Sequence, residues 1–158
     1  MNWELIFKIA NTGVLPFWLL LAFGPRGTMW ARGVFLFGTG LLALTYAVLI
    51  IGLLSGAFDG VMVTQAGASS SPDFTTLAGV MALFDSKGGA TIGWIHYLAF
   101  DLFVGLWITR NADRHGIARF WQVPSLFLTL MFGPIGLLSY LVLRAFLGKK
   151  LENGFTPR

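Results

Sequence analysis

Asp101 is the residue whose setting most demands an explanation in chemistry, because it is the one charged side chain in the apolar stretch 91–109. A carboxylate in such a stretch costs several kcal/mol unless it is paired, protonated or hydrated, so function is the default reading. The competing reading is a neutral or hydrogen-bonded aspartic acid that fastens two helices together. A buried carboxyl that keeps its proton can act as a general acid. His96, a candidate base or relay, precedes it by five residues, about 7.5 Å along a helix and about 140° around it. The two therefore do not share a face, and the i, i+3 or i, i+4 spacing of a metal-binding pair is absent. His115 is the other histidine and there is no cysteine. No metal and no cofactor are expected, since an all-histidine centre would have to be shared between subunits. No Ser-His-Asp order, phosphate loop, dinucleotide glycine pattern or paired-carboxylate motif is visible.

The elements that must hold these residues are long and apolar. The 158 residues are 56% hydrophobic and 11% charged, with a mean hydropathy of +0.74, more apolar surface than one small water-soluble core can hide. Runs of about 20 apolar residues match the bilayer hydrocarbon. The fold class expected is all-α and integral to a membrane: one transmembrane domain over 1–158, a bundle of four transmembrane helices at about 5–23, 33–54, 91–109 and 120–147. Gly24-Pro25-Arg26-Gly27 closes the first, and small residues in Gly52-Leu-Leu-Ser-Gly56 end the second. A short interfacial helix at about 73–84 is expected in the long loop between helices two and three, with Ser71 as N-cap, Pro72 and Asp73 in the first turn, and Phe74, Leu77, Met81 and Phe84 as its stripe.

Depth along these helices brings further polar residues toward Asp101. If Pro16 and Asp101 mark the centres of helices one and three, Asn11 and His96 lie five residues earlier in each, at one depth. Helix four runs oppositely, which places Ser139 and Tyr140 in the same layer, with Thr45 and Tyr46 nearer Asp101. Pro16 and Pro134 each remove a backbone donor, and Gly133 and Gly136 permit close approach of a helix or a flat ligand. Trp94, Trp107 and Trp121 stand near span ends, where indoles anchor to headgroups. The layer is a polar pocket or interhelical glue. Read as a pocket, it has Asp101, His96 and Asn11 as catalytic candidates and Pro16, Tyr46, Trp94, Pro134, Gly136 and Tyr140 as candidate substrate contacts.

The net charge of +4 does not point to nucleic acid, because the basic residues sit in short clusters beside hydrophobic runs. The opening Met1-Asn-Trp-Glu4 lacks the basic start of a secretory signal, so the first helix is expected to be retained. With four spans, Arg26, Arg32, Arg110, Arg114 and Arg119 flank the short loops, against Lys8, Lys87, Arg144, Lys149, Lys150 and Arg158 on the other side, which decides no orientation. The acidic long loop favours cytoplasmic short loops in a multi-pass protein of a bacterial inner membrane.

The string Gly93-Trp-Ile-His96-Tyr-Leu-Ala-Phe-Asp101-Leu-Phe resembles the helix-three signature of the abscisic-acid-deficient-four-like family, which includes a plant plastid protein needed for neoxanthin synthesis. The resemblance extends to Asn11-Thr-Gly-Val-Leu-Pro16-Phe, to residues 77–84, and to Leu130-Met-Phe-Gly-Pro134-Ile-Gly136. It implies a four-helix membrane protein linked to carotenoid metabolism, with Asn11, His96 and Asp101 at the family's intramembrane polar positions.

Three functions follow as expectations. The leading one is a carotenoid- or isoprenoid-modifying enzyme using cofactor-independent acid/base chemistry, an isomerase or epoxide opener, with Asp101 as acid, His96 as base or relay and Asn11 as positioning group. The second is a carotenoid-binding or accessory protein that serves a separate pigment enzyme. The third, a small proton-coupled transporter, rests on Asp101 alone and lacks an evident inverted repeat. The partners expected are membrane lipid, a lipophilic small molecule, and either further copies of the chain or a pigment enzyme.

Overall fold

The computed structural model describes residues 1–60 and 75–148. Helix α1 (Trp3–Gly13) begins where the Asn2 side chain accepts a hydrogen bond from the Leu5 amide at 3.1 Å. It passes with one break at Val14 into α2 (Leu15–Phe23), because Pro16 brings no N–H to the ladder. The second rod comprises α3 (Thr28–Gly33), a π-helical segment (Val34–Gly40) and α4 (Leu41–Leu54). Within the π-helical segment Gly38 is buried, and a methyl group there would meet Leu102 Cδ2 at 2.7 Å and the Phe17 ring. The π-turn thus lies where the second rod packs against Leu102 and Phe17.

Helix α6 (Lys87–Arg114) is the axis of the fold. Ser86 caps it through a 2.9 Å bond from the Gly89 amide to Oγ. Its apolar span is 56% buried, against 22% for Trp3–Phe23 and 17% for Thr28–Leu54, so the other rods pack around it. Ile95, Leu102 and Ile108 of this helix are fully buried, and Trp18, Leu21, Leu126 and Tyr140 close the main core. A second cluster of Trp3, Leu49, Ile92 and Ile95 fills the end near Ser86, where Trp3 Nε1 donates to the Asp59 carbonyl at 2.7 Å. The outer faces are apolar: Leu19, Phe37, Leu54 and Leu138 are each more than 60% exposed. Trp3–Phe23, Thr28–Leu54 and Lys87–Arg114 are long and apolar enough, by length and composition, to cross a membrane. Among the described residues the chain forms helices and no strand.

Helix α5 (Leu77–Phe84) occupies the connection before α6, with Thr76 as its N-cap, and Gly93 accommodates the Phe84 ring. The Ser71, Pro72, Asp73 and Phe74 expectations lie outside the described residues.

The range 120–147 departs from the expectation of one continuous span. It forms two helices of 14 residues, α7 (Arg119–Phe132) and α8 (Pro134–Leu147), which fold back on each other. Each is about 21 Å long, short of the roughly 30 Å of a bilayer core. The reversal is made by Gly133 at φ 47, ψ −96, a backbone region open to glycine, and by Pro134, whose ring cannot continue the helix before it. Three contacts fix the antiparallel pairing. Ser139 Oγ donates to Ser125 Oγ at 3.0 Å, Gly136 lies directly on the Thr129 backbone, and Gln122 near the start of α7 and Tyr140 in α8 bond to Asp113 and Asn111 at the α6 C-terminus.

Candidate functional site

Trp94, Tyr97 and Asp101 follow one another at intervals of three and four on α6 and so share one face. Asp101 is 8% exposed, and its Oδ2 is buried without a hydrogen-bond partner among the described residues. Gly133 closes over it: a methyl group there would stand 2.8 Å from Asp101 Oδ1. The hairpin of α7 and α8 therefore has its tip at Asp101, and the carboxyl lies at the start of α8, the electropositive end of that helix. One turn nearer the α6 N-terminus, Tyr97 is the side chain that interacts with the carboxyl. Beyond Tyr97 the same face opens. Trp94 is 39% exposed and borders a groove of about 550 Å³ between α1 and α6, whose walls include Phe7, Lys8, Lys87 and Thr91.

Aromatic rings lead from that groove toward the carboxyl. Phe7 and Trp94 have centroids 5.8 Å apart, and Trp94 stacks on Tyr97 at 5.2 Å. Asn11 fixes the indole, its Oδ1 accepting from Trp94 Nε1 at 3.0 Å. At the groove's outer end Lys87 Nζ and Glu4 Oε1 form an exposed ion pair at 2.8 Å. A flat apolar group in the groove would lie against Phe7 and Trp94, on the side of α6 that also carries Tyr97 and Asp101.

The expected polar layer is thus reassembled with different members. Asn11 meets Trp94 and not His96. His96 points away from the Asp101 face, as the 140° offset requires, and is exposed beside Tyr46 and Phe100 at centroid distances of 5.4 and 4.6 Å. Tyr46 goes with it, and Thr45 bonds its own helix at the Leu41 carbonyl, 2.8 Å away. Tyr140 is not in the layer, because the reversal at Gly133 carries α8 back to the α6 C-terminus. There the Tyr140 hydroxyl donates to Asn111 Oδ1 at 2.7 Å, Arg144 donates to the same oxygen at 3.1 Å, and Trp107 meets the Tyr140 ring edge-on. Ser139 and Gly136 are spent on hairpin packing. Pro134 is exposed at the tip and Pro16 after the break in the first rod. Tyr97 was passed over in the sequence, although its position four before Asp101 and three after Trp94 marks the shared face.

A second cavity, about 320 Å³, lies between the first two rods and is walled by Ala10, Val14, Phe17, Gly38 and Leu42, with Thr45 as its polar member. Among the described residues no group of three histidines, aspartates or glutamates comes together to hold a metal.

The base of the hairpin is latched to the turn between the first two rods. Arg26 donates to Gln122 Oε1 at 2.9 Å and pairs with Asp113 at 3.6 Å, while Gln122 Nε2 donates to Asp113 Oδ1 at 3.1 Å and the Ile117 carbonyl at 2.8 Å. Burial pulls the Arg26 guanidinium below its usual pKa, and Asp113 opposes the shift. Arg119 adds a bond to the Phe23 carbonyl at 3.0 Å.

These features define a class: an all-helical protein with an apolar exterior and a buried carboxyl, one oxygen of which has no hydrogen-bond partner among the described residues. A sequence profile of the family described as ABA DEFICIENT 4-like matches residues 5–140, and the chain belongs to that family. It is 24% identical over 147 residues to "Protein ABA DEFICIENT 4, chloroplastic" of Arabidopsis thaliana, an alignment covering 93% of this chain and 64% of the relative. The chain thus spans less than two thirds of that protein's length. No solved structure matches it.

Proposed function

We propose that the protein is an integral membrane enzyme that modifies the end group of a carotenoid or related isoprenoid by cofactor-independent acid/base chemistry, with Asp101 as the acid. In this reading Trp3–Phe23, Thr28–Leu54 and Lys87–Arg114 cross a bacterial inner membrane, and the hairpin of α7 and α8 enters from one side and turns back at mid-depth. The observation that carries it is the buried Asp101, one oxygen of which has no hydrogen-bond partner among the described residues, on the same face of α6 as Tyr97 and the groove-lining Trp94. Membership of the family, with the carotenoid link that the resemblance implies, supplies the substrate class. Intramembrane carboxyls of this kind are functional by default.

The chemistry that suits the site is an isomerisation. A protonated Asp101 gives its proton to a ring-epoxide oxygen as one carbon–oxygen bond breaks, and the carboxylate left behind accepts a proton from a neighbouring carbon as the new double bond forms. Atoms balance without oxidant or reductant. Tyr97 holds the carboxyl, Asn11 positions the Trp94 ring, and His96 takes no part because its ring is on another face.

The pigment profile of carotenoid-producing bacterial cells with the protein, without it, and with Asp101→Asn tests this reading. A product made by the native chain and lost in the variant, with both inserted equally, is the expected result; the same product from Asp101→Asn overturns it. A carrier role is favoured by the apolar 320 Å³ cavity, which offers binding without a titratable group. Unaltered pigment purifying with the protein would support that role instead.

A further inference from the structure

Six arginines gather at the hairpin-base end of the fold: Arg26, Arg32, Arg110, Arg114, Arg119 and Arg144. Three are held by the protein itself. Arg26 is latched to Gln122 and Asp113, Arg119 to the Phe23 carbonyl and Arg144 to Asn111. Arg32, Arg110 and Arg114 have no hydrogen-bond or ion-pair partner among the described residues. Asp113 is the carboxylate at this end, and the Arg26–Gln122 latch already occupies it.

These three side chains border two adjoining cavities. One, of about 250 Å³, is walled by Arg32, Arg110 and Arg114 above Phe35, Phe103 and Trp107. The other, of about 220 Å³, shares Ala31, Leu106, Arg110 and Arg114 with it and extends to Thr28 and Trp30. Arg110 and Arg114 are one turn apart on α6, so their guanidinium groups project from the same face. Each cavity is therefore cationic at its outer rim and apolar toward the middle of the helices. Phe35 and Phe103 below the arginines are 47% and 45% exposed, and their rings approach to 6.4 Å.

We propose that this face is a binding site for an anionic phospholipid, its phosphate held by Arg110 and Arg114 with Arg32, and an acyl chain lying on Phe35, Phe103 and Leu106. Guanidinium groups match phosphate oxygens in charge and in fork geometry. A diacyl lipid fits better than a free anion because the apolar wall continues directly from the arginines. The site rests on the membrane reading but not on the pigment chemistry, since it lies at the opposite end of α6 from the groove at Trp94.

Native mass spectrometry of the full chain, equilibrated with equal amounts of dioleoyl phosphatidylglycerol and dioleoyl phosphatidylcholine, tests it. The native protein should retain phosphatidylglycerol with roughly tenfold preference, the scale expected when more than one basic side chain faces an anionic headgroup. Arg110→Gln with Arg114→Gln should bring retention to parity, while Lys8→Gln, a charge-loss control at the other end, should leave it unchanged. If the double variant fails to fold, Arg32→Gln replaces it and should reduce the preference. Equal retention of both lipids by the native chain, an undiminished preference in the arginine variants, or an equal loss in Lys8→Gln would overturn the proposal. So would displacement of phosphatidylglycerol by inorganic phosphate, which would mark a free-anion site. Loss of the pigment reading alone, through an active Asp101→Asn, would leave this preference standing.

Discussion

The carboxyl of Asp101 and the backbone of Gly133 occupy adjoining space, with room for no methyl group between them: a Cβ on Gly133 would lie 2.8 Å from Oδ1 and 3.3 Å from Oδ2. Residue 133 also adopts φ 47, which L side chains rarely tolerate. The turn that ends α7 and the acid on α6 are therefore one structural unit, and the position of either depends on the other.

Substituting Gly133→Ala should accordingly cost the hairpin about 1–3 kcal/mol in backbone strain, together with displacement of Asp101. Lowered thermal stability in detergent, accompanied by loss of whatever activity or pigment binding the native chain has, is expected. Gly13→Ala is the matched control. It lies in a helix with nothing within 4 Å of the added methyl group, so it should be neutral or slightly stabilising. Equal effects at both positions would show that the tight approach at Gly133 does not exist.

The antiparallel pairing of α7 and α8 can be read by cross-linking, because the chain contains no cysteine. Ser125 and Ser139 meet at 3.0 Å between hydroxyl oxygens. In one continuous helix the same residues, 14 apart, would be about 21 Å from each other. Ser125→Cys with Ser139→Cys should therefore form an intramolecular disulfide on mild oxidation, seen as protection of both thiols from maleimide. Free thiols after oxidation would speak for the uninterrupted helix.

Much of the architecture was legible in the sequence, and the family expectation from the Gly93–Phe103 string and its companions is met by the match over 5–140. The long apolar helices were visible because hydropathy reports length well. It reports direction badly. Apolar residues run on both sides of Gly133 and Pro134, so the pair read as a kink in one helix, and only the sign of φ distinguishes a kink from a reversal. That one error moved Tyr140 from the α6 C-terminus into the Asp101 layer. Asp101 itself was legible from its charge. Its neighbours were not, because matching depth between helices ignores rotation, and rotation is what turns His96 outward and Tyr97 inward.

Rotation also separates the catalytic candidates by experiment. Tyr97→Phe removes the hydroxyl that interacts with Asp101 and should lower pigment conversion by at least about tenfold, within the range that positioned acid/base groups contribute. His96→Ala should leave conversion within about twofold, a loss confined to its contacts with Tyr46 and Phe100. Product yield in the same cells, normalised to inserted protein, measures both. A severe loss in His96→Ala with a silent Tyr97→Phe would return the base to His96 and refute the proposed face.

In the proposed membrane arrangement, a hairpin that turns back at mid-depth changes which basic residues lie together. With four spans, Arg144 would stand on the side of Lys8 and Lys87; with the hairpin it joins Arg26, Arg32, Arg110, Arg114 and Arg119, and its bond to Asn111 at 3.1 Å places it there. Among the described residues that end then holds six basic side chains and the other two, an imbalance that, in the proposed membrane arrangement, predicts a cytoplasmic hairpin base. On that proposal Gly60 and Gly148 lie on opposite sides of the membrane. A reporter that works only in the cytoplasm should be active when fused after Gly148 and silent when inserted after Gly60. Activity at both positions, or at neither, would mean that α7 and α8 together complete a fourth crossing, and the half-depth hairpin would have to be abandoned along with the shelter it provides for Asp101.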